Sequence, residues 1–256
     1  MKPSSKLQWN TFWSGKQEVR EVYSNSDRVM RNLVKVADLR GKKVLEVGAG
    51  TGRDSFNLVG LGADVYQLDY SENALRIIIS IARKENIPVH PLCGDALALP
   101  FHNETFDIVF HQGLLEHFRQ PDASRLLKEN VRVLKRGGLL LVDVPQRWHV
   151  YTVMKHILIA FNAWFAGWEC EFSIGELRKI FLTIGLIPVT AYGEWMYPSL
   201  MYRSIREVFR FIGIKLPLYP VKIPGLTAVR KSVRERAMQS SLLLYTGLSI
   251  GLIGRK

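Results

Sequence analysis

The chain has 256 residues, 47% of them apolar and 23% charged, which is ordinary for a packed globular protein and excludes the disordered and collagen-like classes. A formal charge of +12 favours acidic partners, whether nucleic acid, an anionic membrane surface or a phosphorylated molecule, and does not choose among them. Two cysteines, Cys93 and Cys170, lack CxxC spacing and the six histidines form no HExxH, so neither a disulfide framework nor a metal site is expected.

Met1 to Trp13 carries Lys2 and Lys6 with no apolar stretch behind them, which argues against a secretory signal and for a cytoplasmic chain. The longest apolar runs, Ile157 to Trp168 and Leu242 to Gly254, fall short of the roughly 20 residues that cross a bilayer, so no transmembrane helix is expected. Residues 1–40 read as a polar arm bearing Trp9, Phe12, Trp13 and Tyr23. Val22, Val29, Leu33 and Val36 predict a helix over Glu18 to Ala37.

Strands and helices then alternate. Lys43 to Val47 is a β-branched run that stops at glycines, and a helix over Arg53 to Leu61 follows before Gly62. Asp64 to Leu68 (strand), Ser71 to Glu85 (helix, capped by Ser71) and Val89 to Leu92 (strand) repeat the pattern. Phe106 to Phe110, Asp122 to Leu134 and Leu139 to Val144 continue it as strand, helix and strand. Such alternation predicts a parallel sheet with helices on both faces.

The rhythm breaks at Pro145. An aromatic stretch with Trp148, Tyr151, Phe161, Trp164, Phe165 and Trp168 suggests a pocket wall or lid over about 146–172, and core packing explains it equally well. A helix over Ser173 to Thr183 opens on Ser173 and Glu176, the spacing of a capping box. Leu186 to Tyr192 and Leu248 to Ile253 read as strands. Between them, residues 196–240 hold nine Lys and Arg against Glu207 and Glu235, seven of the chain's twelve excess positive charges, mixed with apolar residues. That mixture suits an anionic bilayer or a lipid-like substrate, and a solvated basic face explains it as readily. No nucleic-acid module accompanies it, so nucleic acid is the less favoured partner.

Glu46-Val47-Gly48-Ala49-Gly50-Thr51-Gly52 places an acid and three glycines directly after a strand, where the backbone can approach a ligand and the next helix offers free N–H groups. A dinucleotide fingerprint would require glycine where Arg53 stands, which weakens a nicotinamide reading. Asp69, seventeen residues after Gly52 at a strand end, has the position of a ribose-binding carboxylate. Glu46, at the mouth of a buried strand, needs a partner: a ligand ammonium, or Arg53 or Lys43.

From about Gly41 to Val144 these motifs resemble the class I S-adenosylmethionine-dependent methyltransferases, most of all the ubiquinone- and menaquinone-type small-molecule branch. The resemblance rests on Glu46 to Gly52, Leu68-Asp69-Tyr70-Ser71, Cys93-Gly94-Asp95-Ala96 with Leu99-Pro100-Phe101, and Phe106 to Val109 leading to Leu115-Glu116-His117-Phe118. It implies an α/β, Rossmann-like, seven-stranded, mostly parallel sheet with helices on both faces and a lid or insertion before the last strand. The implied division is an arm (1–40) over the cofactor, a core (41–195 and 241–256) and a basic insertion (196–240). The implied cofactor is S-adenosyl-L-methionine, with Gly48, Gly50 and Gly52 facing its methionine part, Asp69 the ribose, Asp95 and Ala96 the adenine, and Tyr70 or Leu97 covering the ring. Asp95 reads equally as a turn residue after Gly94.

Methyl transfer needs chiefly an aligned nucleophile in a dry site, and a general base only for an acceptor of high pKa. His117, His111 and Glu116, after the fourth strand, are the candidates for that base, with His149 a further one; each reads also as a structural residue. The expected function is methyl transfer to a small-molecule or lipid-like acceptor, peripheral membrane contact being made through 196–240. The alternatives are an RNA or protein methyltransferase, a nicotinamide dehydrogenase, and a non-catalytic binding protein on the cofactor fold.

Overall fold

The computed structural model describes residues 5–14, 27–162, 164, 168–195, 197–221, 224–238 and 240–256. The expected helix over Glu18 to Ala37 lies partly outside them, as do Val22, Tyr23 and Phe165; its described part is α2 (Arg28–Leu33), preceded in the chain by α1 (Lys6–Ser14).

The core runs β1 (Lys43–Val47), α3 (Arg53–Val59), β2 (Asp64–Asp69), α4 (Glu72–Glu85), β3 (His90–Cys93), β4 (Phe106–Gln112), α5 (Asp122–Val133) and β5 (Leu134–Pro145). There follow α6 (Val150–Ala160), α7 (Ile174–Thr183), β6 (Ile187–Glu194), α8 (Leu200–Phe211), α9 (Pro224–Met238), α10 (Leu243–Thr246) and β7 (Ser249–Arg255). Seven strands form one sheet in the order β3-β2-β1-β4-β5-β7-β6. The pairings from β3 to β5 are parallel, and β7 runs antiparallel to both β5 and β6.

The sheet is covered on both faces because its strands are apolar on both. Leu45, Val109, Leu140, Val142 and Leu252 pack against Leu126 and Leu127 of α5 and Leu177 and Phe181 of α7. Val44, Ile108, Phe110, Leu141 and Ile253 pack on the other side against Val29 and Leu33 of α2 and Leu58 of α3. The helices that follow β2 and the aromatic stretch begin at side-chain caps: the Ser71 hydroxyl accepts from Ala74 N, and Ser173 and Glu176 form the full capping box.

The fifth strand departs from its expected bounds. It begins at Leu134 and carries Gly137 and Gly138 inside it, with a register shift against β4 between Phe106 and Ile108. The bulge absorbs the glycines that read as a turn.

The order β2-β1-β4 reverses direction at β1, so the carboxyl ends of β1, β2 and β4 open a crevice at a topological switch point. The helices α8 and α9 of the insertion lie between β6 and β7 in the chain. Among the described residues no helix is long and apolar enough to cross a membrane.

Candidate functional site

From β1 the chain enters the glycine turn with positive φ at Gly48 (+68°), Gly50 (+55°) and Gly52 (+67°). Space as well as dihedral demands glycine here: a Cβ on Gly50 would lie 2.9 Å from the Trp13 ring, and one on Gly52, the N-cap of α3, would run into the Gln67 amide. Asp69 closes β2 and is held rigidly, Oδ2 accepting from Gly50 N and Oδ1 from Ser71 N, each at 2.8 Å. Its burial outweighs those bonds and pushes its carboxyl above the usual range.

A cavity of about 510 Å³ occupies the crevice, lined by Glu46, Gly48, Gly50, Asp69, Tyr70, Asp95, Ala96 and His117. Sequence candidates from four separate strand ends therefore meet in one space. Gly52 stands behind it, shaping the turn. Asp95 serves the turn as well, its Oδ1 accepting from Leu97 N at 2.9 Å. Glu46 is buried, and its partner is the Ser55 hydroxyl rather than the Lys43 considered from sequence; burial, then the charge of Asp54, holds its carboxyl well above the usual range.

Helix α1 roofs the cavity through Trp9 and Trp13. It is pinned to the start of α4, where the Ser71 hydroxyl donates to Asn10 Oδ1 (2.6 Å) and Asn73 Nδ2 to the Asn10 carbonyl (3.0 Å). Two further lining residues stand out: Asp54, which closes the glycine segment, and Gln112, which closes β4. Asp54 Oδ1 and Gln112 Oε1 are buried with no hydrogen-bond partner among the described residues, and Gln112 Nε2 donates to Asp54 Oδ2 at 3.3 Å. Burial pushes the Asp54 carboxyl up to about 6. From sequence Asp54 is only a favourable acid in the first turn of a helix; the orphaned acceptors are visible only in three dimensions.

The three base candidates separate. His117 lines the cavity, its ring edge-on to Trp9 at 5.0 Å, with Nδ1 4.0 Å from Glu169 Oε1. Burial lowers its pKa, leaving a neutral imidazole. His111 is fully buried in β4 and does not line the cavity; burial drops its pKa to about 3, and both ring nitrogens lack a partner among the described residues. It is a core residue by position, a correction to its candidacy as base. Glu116 turns away from this cavity into a second one. His149 caps α6, its Nδ1 accepting from Tyr151 N at 3.0 Å, the structural alternative.

That second cavity, about 200 Å³, shares Gly113 with the first and is lined by Glu116, Asp143, Arg28, Lys155, Glu169, Tyr151 and Ser249. Arg28 pairs with Asp143 at 2.8 Å, and Lys155 bridges Glu169 (2.7 Å) and Glu171 (2.6 Å). Glu116 Oε2 and Ser249 Oγ are buried without a partner among the described residues, and desolvation holds the Glu116 carboxyl well above the usual range. On the far side of Trp168 an apolar groove of about 500 Å³ shares Phe118, Arg119 and Trp168 with the first cavity, Arg119 lying 4.4 Å over the Trp168 ring.

Residues 44–138 match the family model for a methyltransferase domain. The chain is 36% identical over 107 residues to a demethylmenaquinone methyltransferase of Renibacterium salmoninarum, covering 42% of this chain and 43% of that protein. It is 27% identical over 146 residues to a ubiquinone biosynthesis O-methyltransferase of Coxiella burnetii, covering 56% and 62%. Over residues 44–138 the chain is thus similar to S-adenosylmethionine-dependent methyltransferases of class I. These matches span about half the length of the curated relatives. The fold of this chain is shared over 98% of its length with an S-adenosylmethionine-dependent methyltransferase of Thermotoga maritima, at a TM-score of 0.59 and 20% identity.

The cavity suits S-adenosylmethionine, the cofactor that the resemblance implies. S-adenosylmethionine presents an ammonium, a ribose diol and an adenine amine, all donors, and the cavity offers two orphaned acceptors, the fixed Asp69 carboxylate and the exposed Asp95 carboxylate. Its volume lies in the range of cofactor sites.

Proposed function

We propose that this chain transfers the methyl group of S-adenosylmethionine to a small-molecule or lipid-like acceptor. The observation that carries the proposal is the meeting of the glycine turn, Asp69, Asp95 and the orphaned acceptors Asp54 and Gln112 in one cavity at the switch point. The bound cofactor supplies an electrophilic methyl group. In this reading Asp54, Gln112 and Glu46 serve its amino-acid end, Asp69 the ribose, Asp95 and Ala96 the adenine with Tyr70 beside it, and Trp9 and Trp13 exclude water. Burial strengthens the contacts made by Glu46 and Asp69, whereas that of the exposed Asp95 is screened by solvent.

The acceptor enters from the two spaces that adjoin the donor cavity. The polar one matches a head group that donates to Glu116 and Ser249, and the apolar groove favours a molecule with an apolar body. The curated relatives' names point the same way, to quinone methylation. His117, neutral and between donor cavity and Glu169, is positioned to take a proton from a hydroxyl nucleophile. Glu116 orients the head group. The basic segment 196–240 favours contact with an anionic membrane surface as the source of such an acceptor.

The test is transfer of label from methyl-tritiated S-adenosylmethionine to an organic extract, with demethylmenaquinone and hydroxylated aromatic lipids offered as acceptors. Label in the organic phase is expected, and Glu116→Gln should lower turnover about tenfold or more while leaving S-adenosylhomocysteine affinity unchanged. Label recovered only on RNA or protein would replace this reading with the macromolecular alternative.

A further inference from the structure

Helix α6 has two unlike faces. Thr152, Lys155 and Ile159 are buried against the polar cavity and the core, whereas Val150, Val153, Ile157 and Phe161 recur at helical spacing on the outside, Phe161 being 79% exposed. Helix α8 repeats the arrangement with Met201, Ile205, Val208 and Phe211, the last 93% exposed. Arg203 near the start of α8 lies within electrostatic reach of the Tyr151 phenol near the start of α6, so these two helix starts lie on one side of the molecule. Apolar stripes of this size on one region of a surface mark an interaction site.

Charge decides the occupant. The segment from 196 to 240 holds nine Lys and Arg against two acids; Lys215 stands exposed after α8, as does Arg210, which pairs with Glu207, also exposed, at 2.6 Å. A second copy of this chain meeting the same face two-fold would set basic segment against basic segment, a repulsive arrangement. An anionic bilayer complements both the apolar residues and the charge.

We infer that α6 and α8 form a docking face for an anionic lipid surface, their apolar stripes seated at the headgroup boundary and the basic residues of the insertion paired with lipid phosphates. Because α6 is also a wall of the polar cavity, docking sets the acceptor space directly behind the membrane-facing helix. The inference deepens the membrane contact proposed above for the basic segment by naming the helices that make it, and it stands or falls separately from methyl transfer.

The experiment is co-sedimentation of the full chain with vesicles of phosphatidylcholine alone and of phosphatidylcholine with 30% (about one lipid in three) phosphatidylglycerol, at low and high salt. Two double variants accompany it, Val208→Glu with Phe211→Glu, and Val153→Glu with Ile157→Glu. Circular dichroism and S-adenosylhomocysteine titration, which these exposed positions should leave unchanged, certify folding and report the donor site independently. The expected result is binding to the anionic vesicles that weakens with salt, and about tenfold weaker partitioning in each variant. Absence of binding to anionic vesicles, or undiminished binding by folded variants, would overturn the inference. So would a stable dimer in light scattering that the α8 variant dissolves, which would make the face a contact between copies.

Discussion

Asp54 is where residue-scale chemistry is most directly measurable. Burial raises its pKa to about 6, so the ligand-free fold favours the protonated form and loses that contribution as pH rises through about 6. Cofactor binding runs in the opposite direction, because only the carboxylate can accept from an ammonium without losing a proton. The affinity for S-adenosylhomocysteine should therefore fall as pH drops below about 6, and titrations between about pH 5 and 7.5 should show Asp54→Asn weaker and with a shallower profile, the raised carboxyls of Glu46 and Asp69 keeping the remaining slope. A steep profile retained in Asp54→Asn would assign the titration elsewhere. Sequence reading reached Asp69, Asp95 and the glycines because their spacing is fixed by the strand-turn-helix unit itself. It did not reach Gln112, the Lys155–Glu169 pair or the unpaired oxygen of Asp54, because these depend on which atoms are paired and which are left over after packing. His111 and His117 illustrate the same limit: six residues apart in sequence, one is sealed in the sheet and the other faces the cavity.

At the scale of elements, hydrophobic period and caps were enough to place the parallel strands and the helices between them. Ser71 and Ser173 cap the helices their positions predict. Replacing Ser173 by alanine removes a reciprocal cap and should cost about 1 kcal/mol, seen as a melting temperature lower by about 2–4 °C in calorimetry, with cofactor affinity unchanged. An unaltered melting temperature would show that tertiary packing alone holds α7. The fifth strand was less legible. Gly137 and Gly138 carry the signature of a turn, and only the neighbouring β4 and β7 show that a bulged strand accommodates them. The start of the expected helix over Glu18 to Ala37 lies outside the described residues; its end comes early, α2 stopping at Leu33 with turns over Val34 to Val36 in place of the helix expected to Ala37.

At the scale of the whole molecule, the alternating pattern predicts a sheet covered on both faces, the strand-like runs at 186–192 and 248–253 bracket the basic segment, and the family resemblance joins them into one seven-stranded sheet. What neither supplies is the division of space around the donor cavity. The polar cavity and the apolar groove lie on opposite sides of the segment Trp168 to Cys170, with Glu169 lining the first and Trp168 and Cys170 the second. That separation comes from alternate residues of an extended segment facing opposite ways, and it becomes visible only once α5, α6 and α7 are in place.

The central claim is a donor site built on the glycine turn and Asp69. Its most direct test is calorimetric titration of the purified chain with S-adenosylmethionine, S-adenosylhomocysteine and NAD, in parallel with Asp69→Ala. The account predicts that the first two bind, that NAD does not, and that the substitution weakens binding by about tenfold or more through loss of a charge-assisted contact. No binding of either S-adenosyl compound, binding of NAD alone, or full affinity in a folded Asp69→Ala chain would contradict it.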